Sequence, residues 1–234
     1  MSPDTSDQRR DVWIVIPAYR EATVIEDVIG EVRAVFANVV CVDDGSTDGT
    51  GDAALRAGAH VITHPVNLGQ GAAIQTGVEY ARARPEAALF ATFDADGQHR
   101  VDDVVSMIDH LRAVEVDLVV GSRFAGGPTQ TPPLKRLILR SAAILSRRNR
   151  SLGLTDAHNG LRVFNRRVAD ELDLTISGMG HAGEFIALAH ENGWRVAEVP
   201  VDIRYTDYSK AKGQPLLNGV NIVFDGLLRR RTTR

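Results

Sequence analysis

Three short stretches of this chain gather oxygen-bearing side chains: Pro17-Ala18-Tyr19-Arg20-Glu21, Asp43-Asp44-Gly45-Ser46 and Asp94-Ala95-Asp96-Gly97-Gln98. In the third, Asp94 and Asp96 stand one residue apart and Gln98 follows. Such a set presents oxygen ligands to a hard cation, Mg2+ or Mn2+, an ion that commonly shares its shell with phosphate groups. Asp-x-Asp by itself occurs in many surface turns, and any one acidic turn reads equally well as a capping aspartate after a strand. Three on one edge are different. Their charges repel unless a cation or a hydrogen-bonding ligand compensates them, so together they favour a binding site.

The elements around these turns put them on one edge. Val12–Ile16 is a β-branched apolar run ended by Pro17, the pattern of a buried strand. Apolar residues at 24, 25, 28, 32, 35 and 36 predict an amphipathic helix over Glu21–Phe36. Further strands are expected at Val39–Val42, His60–Thr63, Ala88–Phe93 and Asp117–Val120. Helices are expected up to Ala57, from Gly69 to Ala83 and over Asp102–Val114. Thr47 or Asp48 is positioned to cap the second helix and Gly58 to close it. Alternation of this kind implies a mostly parallel sheet, which binds ligands at the carboxyl ends of its strands. All three acidic turns follow strands.

After Gly121 the rhythm breaks. A basic helix is expected within 133–150, a strand at Leu161–Phe164, a helix over His181–Asn192, strand material at Arg195–Val199 and Val201–Tyr205, and an amphipathic helix over Pro215–Leu228. No Gly-x-Gly-x-x-Gly follows the first strand, which argues against an NAD-binding domain.

Five ordered segments resemble the family 2 glycosyltransferases of the GT-A fold. They are Ile14–Glu21, Val42–Thr50, Asn67-Leu68-Gly69-Gln70-Gly71-Ala72-Ala73, the Asp94–Gln98 turn and Val120-Gly121-Ser122-Arg123. Within the family, the nearest likeness is to dolichyl-phosphate mannose synthase and the bacterial polyprenyl-phosphate glycosyltransferases. The resemblance implies an α/β GT-A fold in a single domain over 1–234. A Rossmann-like nucleotide-sugar-binding half would span about 12–121 and an acceptor half, ending in the amphipathic helix, about 122–234. It further implies an inverting, metal-dependent transfer from a UDP-sugar or GDP-sugar donor to a polyprenyl phosphate or a membrane-proximal glycan.

By the same resemblance Pro17, Ala18, Tyr19, Glu21, Asp43, Asp44, Asp48, Gly69, Gly71, Asp94, Ala95 and Asp96 bind the nucleotide sugar, with Asp94, Asp96 and Gln98 on the Mg2+ or Mn2+. Carboxylates accept from base edges and ribose hydroxyls, and glycines let backbone approach a ligand, although Gly69 and Gly71 read equally as a helix start. Thr155-Asp156-Ala157-His158-Asn159-Gly160-Leu161-Arg162 is similar to the family's second acidic turn, with His158 and Asn159 departing from its pattern. Asp156 is the candidate base or acceptor-orienting carboxylate, and Glu184 the second candidate. An acceptor phosphate, already anionic, needs no base. Arg123, Arg136, Arg204, Tyr208 and Lys210 are the candidate ligands of acceptor or donor phosphate.

Charge adds a second pattern. The net charge is −3, yet residues 133–150 carry six Lys or Arg, residues 226–234 carry four Arg, and neither stretch holds more acid than none. The remainder is strongly acidic. The basic segments suit an anionic acceptor or lipid surface, and peripheral membrane contact is left open. Aromatics are not interleaved with them, which disfavours nucleic acid. Cys41, the single cysteine, suits a reducing compartment. With no apolar signal region and no spanning segment, the expected location is the cytoplasm, at the inner face of the membrane if peripheral. Homo-oligomerisation is left open. A transferase acting on a small-molecule or protein hydroxyl, and a nucleotide-sugar-binding regulatory module, are the alternatives.

Overall fold

The computed structural model describes residues 9–125, 152–156, 159–176 and 178–204. Seven strands form one sheet: β1 (Val12–Ala18), β2 (Asn38–Asp43), β3 (His60–Thr63), β4 (Leu89–Thr92), β5 (Leu118–Ser122), β6 (Arg162–Asn165) and β7 (Val196–Pro200). Their spatial order is β3-β2-β1-β4-β6-β5-β7. Among the described residues six α-helices flank it: α1 (Ile25–Arg33), α2 (Thr50–Arg56), α3 (Gln70–Arg82), α4 (Val101–Val114), α5 (Arg166–Glu171) and α6 (His181–Glu191).

The alternation within β1 decides which helix goes where. Val12, Ile14 and Ile16 pack with Ile25, Ile29 and Val32 of α1 and Val104, Met107 and Ile108 of α4. Trp13 and Val15 face the other way, onto Ile74 and Val78 of α3, Val168 of α5 and Phe185 of α6. A strand buried on both faces reads as a continuous apolar run, which is why β1 is VWIVIPA with every residue buried. Pro17 stands beyond the last β1·β4 pair, Val15 with Thr92, so its missing N–H breaks no ladder bond on that side.

Four strand pairs are parallel, as a mostly parallel sheet requires, and the sixth strand is the exception. β6 inserts between β4 and β5 and runs antiparallel to both. Residues 201–204 are not strand: Val201 N–H donates to Ser122 O and Arg204 N–H to Gln98 O, which ties this stretch across the mouth of the third acidic turn. α5 was not expected. It is short and is started by Asn165, whose side chain accepts from Val168 N–H at 3.1 Å. The N-cap of α2 is Gly49, which has no side chain to cap with, rather than Thr47 or Asp48; Asp48, one residue earlier, accepts from Thr50 N–H and Oγ1–H, and Gly58 follows the helix at φ +86°. The basic helix, the C-terminal amphipathic helix, Arg136, His158, Tyr208 and Lys210 lie outside the described residues.

Candidate active site

Parallel pairing brings the first two acidic turns together, since Ala18 is in register with Asp43. Their carboxylates have different duties. Asp44 is 3% exposed. Its Oδ1 accepts from Leu68 N–H (2.9 Å) and lies 2.8 Å from His64 Nδ1, while Oδ2 accepts from Gly69 N–H (2.8 Å). Asp44 therefore builds the 64–69 loop. Asp48 is likewise occupied by Thr50 and by Ala22 N–H. Asp43 accepts from Ser46 N–H through Oδ1. Glu21 is buried beside the Asp96 carboxylate, whose charge it opposes, and its N–H donates to Thr50 Oγ1. Tyr19 is exposed, with the Arg20 guanidinium 5.2 Å from its ring centre. At Gly71 the close approach comes from the chain itself, because a Cβ there would run into the Ile176 carbonyl and His181. Gly69 adopts φ +94° at the start of α3.

The Asp94–Gln98 turn is the electrostatic centre. Gln70 Nε2 donates to Asp94 Oδ1 and His99 Nε2 to Asp94 Oδ2, each at 2.9 Å. Burial pushes the Asp94 carboxyl up, but the His99 bond and the nearby charges of His99, His181 and Arg162 overcome it and hold the group below its usual range. Asp96 goes the other way. Burial and the Asp94 charge raise it to about 6, against a weaker pull from the Gln98 N–H at 3.1 Å. Two carboxylates at unequal poise, Asp94 and Asp96, are oxygen donors of the kind that fits a hard divalent cation. Among the described residues no group of three or more His, Cys, Asp or Glu encloses a metal by itself. Two protein carboxylates plus substrate oxygens are the pattern expected of Mg2+-type sites.

On the far side of β6 lies a second cluster. Asp156, 3% exposed, receives the Arg123 guanidinium bidentately, Nε and Nη2 each at 2.6 Å, and Arg123 N–H at 3.0 Å. Glu198 on β7 accepts from Thr155 N–H, Thr155 Oγ1–H and Asp156 N–H at 2.7–3.1 Å. Between the two clusters sits Arg162, fully buried, its guanidinium 5.1 Å from the Phe185 ring centre. Burial lowers its pKa to about 10 while Asp94 and Asp156 pull it back up. Gly160 makes this juxtaposition fit: a Cβ there would fall on the Asp94 carboxylate. His181 is held below its usual range, first by burial and then by Arg162, with Nδ1 2.6 Å from Gly178 O.

Two expected site residues are engaged elsewhere. Both Glu184 oxygens are taken, by Thr175 N–H and Oγ1–H and by Ile176 N–H, so this carboxylate fastens a loop to α6. Arg204 pairs with Glu31 of α1 at 2.9 Å. It lines a cavity together with Asp96, Gly97 and His99. Arg162, Gln70, His99 and Glu198 were not singled out from sequence. Arg162 and Gln70 lie inside recognised motifs, which was the available signal.

The sequence model described as glycosyl transferase family 2 matches residues 13–173. The chain belongs to that family. This family 2 glycosyltransferase is 27% identical to the UDP-N-acetylglucosamine–dolichyl-phosphate N-acetylglucosaminyltransferase of Methanococcus voltae, over 91% of the chain and 93% of the relative. It is 29% identical to the polyprenol monophosphomannose synthase of Mycolicibacterium smegmatis, over 94% and 86%. In fold it is similar to glucosyl-3-phosphoglycerate synthase from Mycobacterium tuberculosis, solved with Mn2+, UDP and glucosyl-3-phosphoglycerate. The TM-score is 0.71 at 20% identity, covering 92% of this chain and 77% of that one. The family 2 glycosyltransferase is thus an α/β protein with a GT-A fold. Among its described residues no helix is long and apolar enough to cross a membrane.

Proposed function

We propose that this glycosyltransferase moves a hexosyl group, with inversion, from a UDP-sugar or GDP-sugar to a polyprenyl phosphate. The observation that carries this reading is the state of its two candidate bases. Both Asp156 oxygens are bound by Arg123, and both Glu184 oxygens by the 175–176 backbone and hydroxyl. A hydroxyl acceptor needs a free base in line with the leaving group, whereas a phosphate arrives ionised. An acceptor that brings its own charge suits a site whose carboxylates are committed. The lipid-phosphate relatives support the same choice over a glycan or a free hydroxyl.

In this reading the chain divides into a donor half and an acceptor half. Glu21 and Asp43, with the backbone of Pro17 and Ala18, receive the nucleoside; Asp44, Asp48 and Gly69 shape the loop around it. Asp94 and Asp96, with Gln98, would hold Mg2+ or Mn2+, which neutralises charge developing on the leaving diphosphate. Gln70 and His99 fix Asp94 so that its oxygens stay aimed. Arg162 keeps a buried positive charge between donor and acceptor ends. Arg123 and Arg136 receive the acceptor phosphate, Tyr208 and Lys210 the diphosphate, and the basic segments place the enzyme peripherally on an anionic membrane.

The test is an acceptor and donor panel with the full chain: UDP- and GDP-sugars, Mg2+ or Mn2+, and either polyprenyl phosphate or the matching polyprenol. Transfer to the phosphate alone, with inverted anomeric configuration in the product, is the expected result. Equal transfer to the free alcohol overturns the acceptor assignment. Consumption of no donor at all would favour a regulatory binding module.

A further inference from the structure

The geometry points to Glu198 as a positioning residue for the acceptor end, an inference that rests on the reading of Arg123 and Asp156 as that end. Glu198 sits on β7 in register with Val120 of β5, one strand removed from the Arg123 backbone. Its carboxylate collects three donors from two consecutive residues: Oε1 accepts from Thr155 N–H (2.9 Å) and Asp156 N–H (2.8 Å), and Oε2 accepts from Thr155 Oγ1–H (2.7 Å). Two adjacent backbone N–H groups aimed at one oxygen fix both the height and the rotation of the turn that carries Asp156. Charge-assisted bonds to a carboxylate are roughly twice as strong as neutral ones.

The consequence passes on to Arg123. Asp156 binds both its guanidinium and its N–H, so a shift of the 155–156 turn moves the guanidinium with it. A second tie runs through the hydroxyls. Thr155 Oγ1 lies 3.0 Å from Ser122 Oγ, which itself accepts from Phe124 N–H. Because the carboxylate can only accept, Thr155 gives its proton to Glu198 and Ser122 gives its own to Thr155. Glu198 therefore orients a relay that brackets Arg123 on both sides in sequence.

That relay can run in reverse, and this makes the idea testable. In Glu198→Gln the amide oxygen still accepts the two backbone N–H groups. The amide N–H2 now donates to Thr155 Oγ1, and Thr155 donates to Ser122. The three donors that Glu198 served each keep an acceptor without the negative charge, and only the Ser122 hydroxyl proton gives up its place on Thr155. Glu198→Ala leaves the Thr155 and Asp156 backbone N–H groups unmatched, while the Thr155 hydroxyl can turn to Ser122.

The experiment compares Glu198→Ala, Glu198→Gln and Arg123→Met in the full chain. Acceptor KM is read with polyprenyl phosphate, and UDP and GDP affinity by calorimetry without acceptor. Expected are an acceptor KM raised about tenfold or more in Glu198→Ala, a value within about threefold of wild type in Glu198→Gln, and nucleotide affinity unchanged in both. An unchanged acceptor KM in Glu198→Ala, or Glu198→Gln as impaired as Glu198→Ala, overturns the positioning role. Should Glu198→Ala not fold, Glu198→Asp draws the carboxylate back by one methylene from both N–H groups; an unchanged acceptor KM there overturns it equally. If Arg123→Met itself leaves acceptor KM unchanged, the acceptor reading fails instead, whatever Glu198 does.

Discussion

The two ends of the site treat their carboxylates in opposite ways. Around Arg123, Asp156 and Glu198 are matched donor for donor, by a guanidinium and by backbone N–H groups. In the Asp94–Gln98 turn, which the proposed reading makes the donor end, Asp94 is matched but Asp96 is not: one N–H reaches it, and its neighbours Asp94 and Glu21 are negative. A satisfied carboxylate is a scaffold. A carboxylate raised to about 6 by burial and like charge is one that a cation beside it would stabilise.

The sharpest way to break that contrast is to remove the dissatisfied group. Asp96→Asn should lower transfer by roughly a thousandfold, the scale of losing metal-type charge stabilisation. It should nevertheless leave the thermal midpoint of the cation-free protein at pH 7.5 equal to or above wild type, because a repulsion is gone. Steady-state transfer and a thermal melt check both halves; a large loss of stability would show that Asp96 is scaffold too. Next comes the cation shared between the ends. Arg162→Met should destabilise the fold by about 3–5 kcal/mol, the cost of stripping a buried charge from its partners, measured by denaturant unfolding. A change under about 1 kcal/mol would mean that the two ends are electrostatically independent.

The smallest effect is a pH dependence. Asp96 has its folded pKa near 6 against a usual 3.8. The unfolded chain therefore binds fewer protons between those values, and the cation-free fold loses stability as pH rises through roughly 4 to 6. A divalent cation takes the place of the proton. The thermal shift produced by Mn2+ should thus be several degrees at pH 7.5 and close to zero at pH 5. An equal shift at both pH values would detach the cation from Asp96.

Much of the donor half was legible because a parallel sheet writes its pattern locally. The apolar runs at Val12–Ile16 and Val39–Val42 lie within β1 and β2, and His60–Thr63 matches β3 end to end. What was hidden depends on pairing and burial. Nothing in Leu161–Phe164 announces that β6 runs against its neighbours, since alternation has no direction. α5 escaped because only Val168 and Ala169 of its residues are buried, too few for a helical period. Asp43, Asp44 and Asp48 look alike as letters, and only tertiary contacts show that Asp44 and Asp48 hold loops together. Arg162 was visible inside its motif, but arginine is ordinarily a surface residue and nothing local predicts its full burial.

The one reversed strand has a further consequence. Because β6 runs against β5, the chain leaves the sheet after Ser122 and returns at Arg162 on the same edge. No residue of 123–161 is needed to carry the chain across to the opposite edge. Arg123, Asp156 and Gly160 keep fixed contacts within that stretch, but the chain between them need not span the sheet. On the proposed reading, acceptor preference can therefore change between β5 and β6 while the strands keep their register.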